Sequence, residues 1–166
     1  LQGAGKSTLA HALAPHLGGP PGALVLRSDE TRKRLHGRAP EETLPDQAYT
    51  AAADARVAEV LLQAAAAVAR GGHPLVVDAT FLDLALRARL RAIATGAGAS
   101  FVGLWLEAPV AVLEERVAAR RGDASDATLA VLRQAAAQHP GPGDWTPIPA
   151  LDRATALAAA RQAIGL

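Results

Sequence analysis

The stretch that decides the fold stands at the start of the chain, Leu1-Gln2-Gly3-Ala4-Gly5-Lys6-Ser7-Thr8. It matches the phosphate-binding pattern G-x-x-x-x-G-K-[ST], except that the first glycine would fall one residue before Leu1. Gly3 and Gly5 let the backbone curl so that successive N–H groups point at phosphate oxygens. Lys6 would reach the β- and γ-phosphates of a nucleotide, and the Ser7 hydroxyl would ligate Mg²⁺. The pattern therefore predicts nucleotide binding.

A glycine-rich turn before an amphipathic helix is the simpler alternative for the same stretch. Against it, Lys6 is one of only two lysines and lies between Gly5 and a Ser-Thr pair. The helix that begins there would also aim the positive end of its dipole at a bound anion. We expect ATP to bind here, through the residues Gly3, Ala4, Gly5, Lys6, Ser7 and Thr8.

Composition limits the class of protein. The chain has 166 residues, of which 50% are hydrophobic and 20% charged, so it has the size of one domain and is not a disordered tail. It has no cysteine, which excludes disulfides and thiolate metal sites and makes a cytoplasmic setting the default expectation. A net charge of +1 gives no bias towards nucleic acid, and no apolar run is long enough to span a membrane.

Short apolar runs alternate with longer helical patterns along the chain. The runs are continuous rather than alternating, as in parallel strands that are buried on both faces. The pattern predicts a doubly wound α/β sheet in a single domain covering residues 1–166. Strands are expected at 24–26, 75–77, 101–106 and 145–148, and helices at 6–17, 51–70, 84–94, 110–121, 127–138 and 153–164.

Three acidic residues follow predicted strands, where ligands of open α/β sheets bind. Asp78, with Thr80 two residues on, resembles the end of a strand that holds Mg²⁺ or its water shell. Asp29 could accept the proton of an attacking hydroxyl, and Arg32 could hold an anionic part of the substrate. Helix capping is the alternative for each acidic residue, and for Glu107 a cap or surface role is favoured.

Arginines follow the last long strand in a pattern typical of a phosphotransferase lid. Arg116 and Arg120 are four residues apart, so they share a helix face, and a small polar loop separates this helix from the next. Closure of such a lid would exclude water and bring guanidinium groups to the transferred phosphoryl. The alternative is a solvated face that pairs these arginines with Glu114, Glu115 or Asp123. Ser125 or Asp126 could cap the second helix.

Five cations lie within twelve residues after the first predicted strand: Arg27, Arg32, Lys33, Arg34 and Arg38. A phosphorylated substrate or a nucleic acid could use them, and a solvated helix face is an equal alternative. No aromatic residues are interleaved to stack bases, so nucleic acid is not the expected partner. The irregular stretch 38–49, which ends at the only tyrosine, is expected to face the substrate.

Together these segments resemble the P-loop kinases grouped with zeta toxins, chloramphenicol phosphotransferase and polynucleotide 5′-kinases. The matching segments are 3–8, 26–29 with Arg32, 76–81, and Arg116 with Arg120. The resemblance implies sheet order 2-3-1-4-5, ATP with Mg²⁺, Asp29 as the base, and lid arginines that contact adenine and phosphates. The chain also resembles a domain often fused behind an aminoglycoside-phosphotransferase-like domain.

The leading hypothesis is an ATP-dependent phosphotransferase that acts on a hydroxyl of a small molecule. Its expected catalytic residues are Asp29, Lys6 and Arg120, and its expected substrate contacts are Asp29, Arg32 and Thr80. The alternatives are an ATP-binding regulatory module of a fused partner, and a polynucleotide 5′-kinase. The first strand of the expected sheet would precede Leu1, so the 166 residues are expected to be a fragment.

Overall fold

A computed structural model of the chain describes residues 1–119, 126 and 128–166. Seven helices and four strands alternate along these ranges, with short 3₁₀ turns at Ala14–His16 and Asp46–Tyr49. The strands are β1 (Leu24–Arg27), β2 (Leu75–Asp78), β3 (Leu104–Glu107) and β4 (Thr146–Pro149). The helices are α1 (Lys6–Leu13), α2 (Ser28–Leu35), α3 (Ala51–Arg70), α4 (Leu84–Gly96), α5 (Val110–Ala119), α6 (Leu129–Gln138) and α7 (Arg153–Ala163).

All strand pairs are parallel, and helices make the crossovers between them. β1 pairs with β2, placing Arg27 opposite Asp78, and β3 pairs with β4, placing Glu107 opposite Pro149. The predicted α/β class with parallel strands is therefore confirmed. The two pairings are those that the order 2-3-1-4-5 requires for strands 2 with 3 and 4 with 5. Within the described ranges β2 and β3 do not pair with each other, and the first strand of that order stays a prediction.

Three apolar clusters hold the elements together. The largest joins α3 and α4 to the strands through residues such as Leu61, Leu90 and Trp105. A second packs Leu9 and Leu13 of α1 against α7. The third consists of Ala4, Leu113, Val117 and Leu132, and it seats the glycine-rich loop against α5 and α6. The loop is thus fixed by core packing on the side away from its helix.

Helix α2 was not predicted, because its sequence SDETRKRL carries a single apolar residue and shows no hydrophobic period. Charge order explains its stability: Asp29 and Glu30 lie in its first turn and three cations in its last, as the helix dipole favours. Thr31 Oγ1 also donates to the Arg27 carbonyl at 2.8 Å. The hydrophobic pattern alone therefore misses an element of the candidate site.

Other boundaries differ from the predictions by a few residues. α1 ends at Leu13 rather than at residue 17, because Pro15 lacks an N–H and the chain tightens into a 3₁₀ turn. β3 begins at Leu104, three residues later than expected.

α3 is the longest of the described helices, with 20 residues, and it contains charged side chains. Across the described part of the chain, no helix combines the length and apolarity that crossing a bilayer requires.

Candidate active site

The glycine-rich loop adopts the backbone that its sequence demands. Gly3 and Gly5 have φ angles of +77° and +81°, in the left-handed region that favours glycine. A Cβ atom on Gly3 would lie 2.8 Å from the Leu113 carbonyl oxygen, whereas a Cβ on Gly5 would meet nothing within 4 Å. Gly5 is the N-cap of α1, and the Leu9 N–H donates to its carbonyl at 2.9 Å. The loop therefore curls directly into the N-terminus of α1.

The side chains of this loop divide into core and cleft positions. Ala4 is 3% exposed and packs against Leu113, so it would contribute to a phosphate site through its backbone. Lys6 lies in the first turn of α1, and its Nζ donates to the Leu1 carbonyl at 2.9 Å, across the loop. Thr8 is exposed and lines the same cleft as Lys6. The ammonium group thus lies over the glycine-rich loop, where a phosphate cradle requires it.

Ser7 and Asp78, the two predicted metal ligands, are in direct contact. Ser7 Oγ donates to Asp78 Oδ2 at 2.5 Å, although α1 and β2 are far apart in sequence. Asp78 is 8% exposed and closes β2 at its carboxyl end. It is not the N-cap of α4, which is Asp83, so the capping alternative for Asp78 is wrong.

The donor chemistry of this pair fits Mg²⁺. A hydroxyl and a carboxylate are hard oxygen donors, and they lie close enough to share one ion. Within the described residues there is no group of three or more acidic, histidine or cysteine side chains that could hold a metal unaided. Mg²⁺ bound with nucleotide needs only one or two protein ligands, because phosphates and water supply the others. Ser7 and Asp78 would therefore hold the ion together with a bound nucleotide.

Asp29 lies in the first turn of α2, at the second helical position. The N-cap of this helix is Arg27 and not Asp29, so the N-cap alternative for Asp29 is also wrong. Asp29 lines a cleft of about 1500 Å³ together with Lys6, Ser7 and Asp78. The cleft brings together all the predicted site residues that the structure describes: Gly3, Ala4, Gly5, Lys6, Ser7, Thr8, Asp29, Arg32, Asp78, Thr80 and Arg116.

Arg32 is held between α3 and the stretch 38–49. Its Nη1 donates to the Ala48 carbonyl and its Nη2 to Asp54, both at 2.7 Å. Its guanidinium lies 5.0 Å from the centre of the Tyr49 ring, in a cation–π arrangement. Its Nε is buried and has no hydrogen-bond partner. The remaining N–H on a cleft-lining arginine is the kind of donor that an anionic ligand satisfies.

The backbone beside Thr80 is strained and is held by an arginine that sequence reasoning missed. Phe81 has a φ of +49°, in the left-handed region although it is not glycine. Arg87 Nε donates to the Phe81 carbonyl at 2.8 Å, and its other nitrogens donate to the carbonyls of 141 and 142 at 2.9 and 3.0 Å. Arg87 is only 4% exposed, and its guanidinium lies over the rings of Trp105 and Trp145. Arg87 therefore fixes the turn that presents Thr80.

Arg116 lines the cleft, but its guanidinium binds backbone carbonyls. Nη1 donates to the Ala150 carbonyl at 2.7 Å, and Nη2 donates to the Leu151 carbonyl. A longer contact of 3.5 Å reaches the Gly3 carbonyl. Arg116 thus ties the glycine-rich loop to the segment after β4. The alternative to a lid, in which Arg116 pairs with neighbouring acids, is not seen for Glu114, which binds Arg133.

The second predicted lid arginine, Arg120, lies outside the described residues, as do Asp123 and Ser125. Its role therefore stays a prediction from the sequence. Asp126 does not cap α6, since the N-cap is Thr128, whose hydroxyl accepts from the Val131 N–H.

Asp126 instead anchors the stretch 38–49. Its Oδ2 accepts from the Tyr49 hydroxyl at 2.5 Å and from the Leu44 N–H at 3.0 Å, and its Oδ1 lies 3.2 Å from Lys33 Nζ. Lys33 Nζ also donates to the Pro40 carbonyl at 2.7 Å. Desolvation raises the pKa of Asp126, but the hydrogen bonds from Tyr49, Leu44 and Lys33 outweigh it and leave that pKa below its usual value. Desolvation and the Asp126 contact raise the pKa of Tyr49.

The five clustered cations do not form one surface patch. Lys33 is 1% exposed, and the guanidinium of Arg27 binds Glu30, Ser7 and Asp78. Arg38 forms an exposed ion pair with Glu42. Neither the solvated-face interpretation nor the basic-patch interpretation therefore describes the cluster as a whole.

The chain matches one known family and several known proteins. A family described as AAA domain matches residues 1–142. Three mycobacterial proteins are each 31% identical over 147 residues, which cover 86% of this chain. They include the uncharacterized proteins Rv2004c of Mycobacterium tuberculosis H37Rv and Mb2027c of Mycobacterium bovis. This chain spans 28% of the length of these relatives.

Several solved structures have the same fold. A sugar kinase from Janibacter sp. HTCC2649 is 20% identical with a TM-score of 0.70, and the match covers 99% of this chain and 90% of that one. A gluconokinase from Sinorhizobium meliloti 1021 is 23% identical with a TM-score of 0.58, and the match also covers 99% and 90%. The tunicamycin resistance protein of Deinococcus radiodurans is 22% identical with a TM-score of 0.55, over 88% and 84%. At these identities the likeness shows the fold.

Proposed function

The chain belongs to the AAA domain family, and from this membership we propose that it is an ATP-dependent phosphotransferase. It moves the γ-phosphate of ATP to a hydroxyl group of a small molecule. The observation that carries the proposal is the contact between Ser7 and Asp78 at the mouth of a glycine-rich loop, in a cleft that also contains Asp29. Phosphoryl transfer to a hydroxyl needs ligands for Mg²⁺, donors that bind the phosphates, and a base.

In the proposed reaction, the loop backbone and Lys6 bind the β- and γ-phosphates. Ser7 and Asp78 would hold Mg²⁺, which would supply positive charge to the phosphate oxygens. Asp29 accepts the proton of the acceptor hydroxyl as its oxygen bonds to the γ-phosphorus and the bond to the β–γ bridging oxygen breaks, leaving ADP. Arg32 orients an anionic part of the acceptor through its unsatisfied Nε–H.

The acceptor class is proposed from the kinases that share the fold. The sugar kinase and the gluconokinase favour polyhydroxylated acceptors, and the tunicamycin resistance protein favours including antibiotics among the compounds tested. Membership in the narrower group of zeta toxins, chloramphenicol phosphotransferase and polynucleotide 5′-kinases is a further proposal, which rests on the residues given above. So is fusion to an aminoglycoside-phosphotransferase-like domain.

A regulatory module that binds ATP without transferring phosphate is the competing proposal. The placement of Asp29 favours the enzyme, because a nucleotide sensor has no need of a base, and Asp29 lines the cleft together with Lys6 and Ser7. A polynucleotide 5′-kinase is less well supported. Lys33 is buried and Arg38 is paired with Glu42, so residues 27–38 do not form a continuous basic surface for a nucleic-acid strand.

The test is a transfer assay with γ-labelled ATP against sugars, gluconate, aminoglycosides, chloramphenicol-like alcohols, nucleosides and 5′-hydroxyl oligonucleotides. The variant Asp29→Asn should bind ATP as the wild type does and transfer phosphate about 10²–10⁴-fold more slowly. The matched control is Asp144→Asn, because that carboxylate is exposed and its ion pair with Arg91 lies outside the cleft. ATP binding without transfer to any acceptor would favour the regulatory module.

A further inference from the structure

One arginine contacts both proposed metal ligands, Ser7 and Asp78, from a position outside the cleft. Arg27 Nη2 donates to Ser7 Oγ at 3.0 Å, and its Nε donates to Asp78 Oδ2 at 3.2 Å. Its Nη1 binds Glu30 Oε1 at 2.7 Å. Its side chain is 10% exposed, and, unlike Ser7 and Asp78, Arg27 is not among the described residues that line the cleft.

Strand pairing explains how Arg27 reaches the proposed metal ligands. Arg27 closes β1 and Asp78 closes β2, and the two are directly opposite each other in the parallel register. Residues in register on adjacent strands project to the same face of the sheet, so the guanidinium and the carboxylate meet. Arg27 is also the N-cap of α2, which carries Asp29 two residues later. Arg27 therefore connects Ser7 and Asp78 to α2, the helix that carries the proposed base.

The charge of Arg27 acts on the same oxygen that a metal would use. Asp78 Oδ2 accepts from both Ser7 and Arg27, so a cation already lies at hydrogen-bond distance from this oxygen. A divalent ion on this oxygen would lie within a few ångströms of the guanidinium, in a site of low exposure where charges are weakly screened. The triphosphate of ATP would offset this repulsion, since it brings several negative charges to the same place.

We propose that Arg27 is a positioning residue that holds Asp78 against Ser7 and prevents a divalent cation from binding there unless it arrives with nucleotide phosphates. The inference rests on the proposed ATP site and adds an order to its use: metal and nucleotide enter as a complex. Glu30 keeps the guanidinium in place throughout, because its contact with Nη1 does not involve Ser7 or Asp78.

The experiment measures Mn²⁺ binding to the nucleotide-free protein by electron paramagnetic resonance of the free ion. Arg27→Met should bind Mn²⁺ about tenfold more tightly than the wild type, because Asp78 then lacks a neighbouring cation. Arg27→Lys, which keeps the charge, should stay close to the wild type. Arg34→Met is the control for net charge, since Arg34 lies exposed on the same helix, and it should also match the wild type. Equal or weaker Mn²⁺ binding by Arg27→Met would overturn the proposal.

A second measurement on the wild-type protein covers the case in which Arg27→Met does not fold. The Arg27 Nε–H resonance, assigned with the Arg27→Lys variant, should move when Mg²⁺ is added with a non-hydrolysable ATP analogue. It should stay in place when Mg²⁺ is added alone. A shift with Mg²⁺ alone contradicts the proposal. Neither measurement involves an acceptor, so a protein that transfers phosphate to nothing fails the proposed function while leaving this inference testable.

Discussion

Ser7 Oγ lies 2.5 Å from Asp78 Oδ2, although the two residues are 71 positions apart in the chain. The first turn of α1 and the last residue of β2 meet at this contact, so the fold itself brings the two proposed metal ligands together. Both ligands come from regular elements rather than loops, and their separation is therefore set by the packing of a helix on a strand. Arg27 makes the pair a three-residue network.

Replacing Lys6 should remove most of the nucleotide affinity. Lys6→Ala leaves the backbone cradle in place but takes away the cation for the β- and γ-phosphates, so we expect ATP affinity to fall by about 10²-fold or more. Titration with a fluorescent ATP analogue measures the loss. Arg34→Ala removes the same charge from an exposed position and should bind ATP as the wild type does. An unchanged affinity in Lys6→Ala would refute the phosphate-binding role of the loop.

The two glycines of the loop should respond differently to alanine. Gly3→Ala combines a positive φ with a Cβ only 2.8 Å from the Leu113 carbonyl oxygen, and it should lower the free energy of unfolding by about 2–4 kcal/mol. Gly5→Ala has a similar φ but open space around the new Cβ, so a loss of about 1 kcal/mol is expected. Urea titrations of both variants give the comparison. Equal losses would show that close packing against α5 does not constrain the loop.

The two predicted lid arginines should differ in their kinetic effects. Arg116→Met removes the tie between the glycine-rich loop and the segment after β4, so we expect a destabilisation of about 2 kcal/mol and weaker ATP binding. Arg120→Ala should lower kcat more than nucleotide affinity, as expected of a group that acts on developing charge. Steady-state kinetics and thermal melts separate the two. A drop in kcat alone for Arg116→Met would contradict the structural role given to it.

Breaking the buried ion pair of Lys33 and Asp126 should lower the free energy of unfolding, and a second substitution should partly restore it. Lys33→Met leaves a carboxylate that is only 10% exposed without its cation, and should cost about 3–5 kcal/mol of unfolding free energy. The double variant with Asp126→Asn keeps an acceptor for Tyr49 and Leu44 and removes the unpaired charge, so stability should partly return. Additive losses in this double-mutant cycle would show that the two residues do not interact.

The same carboxylate should make stability depend on pH. Since the pKa of Asp126 is lowered in the folded protein, the folded state gains stability above the ordinary aspartate pKa of about 4. That contribution should disappear as the pH falls through the lower folded value. Unfolding measured between pH 6 and pH 2 should therefore show a smaller acid-induced loss in Asp126→Asn than in the wild type. Parallel curves would indicate that Asp126 has no lowered pKa.

The sequence predicts the parts of the site that depend on local chemistry. The glycine spacing around Lys6 requires a curled backbone, and the positions of Asp29 and Asp78 after apolar runs place both carboxylates at one edge of parallel strands. Each of these features depends on only a few consecutive residues. The same reasoning predicts the α/β class, because continuous apolar runs separated by helical patterns have few other solutions.

What the sequence does not reveal depends on contacts between distant segments. Nothing near Arg87 or Asp126 in the chain indicates that one binds the turn after β2 and the other binds Tyr49. Arg116 was predicted to reach a ligand because it shares a helix face with Arg120 beside a small polar loop, yet its guanidinium binds carbonyls of the segment after β4. Side chains with long reach and several donors can satisfy many partners, and only tertiary packing selects among them.

The attachment of Asp126 to Leu44 and Tyr49 divides the stretch 38–49 into a fixed stem and an exposed tip. Residues 38–43 are all exposed, whereas Leu44 and Ala48 are buried. Mutations can accumulate in the tip without disturbing the anchor, while changes in the stem carry a cost to folding. Sequence variation in this stretch should therefore concentrate at positions 38–43, while Leu44 and Tyr49 are constrained by their contacts with Asp126.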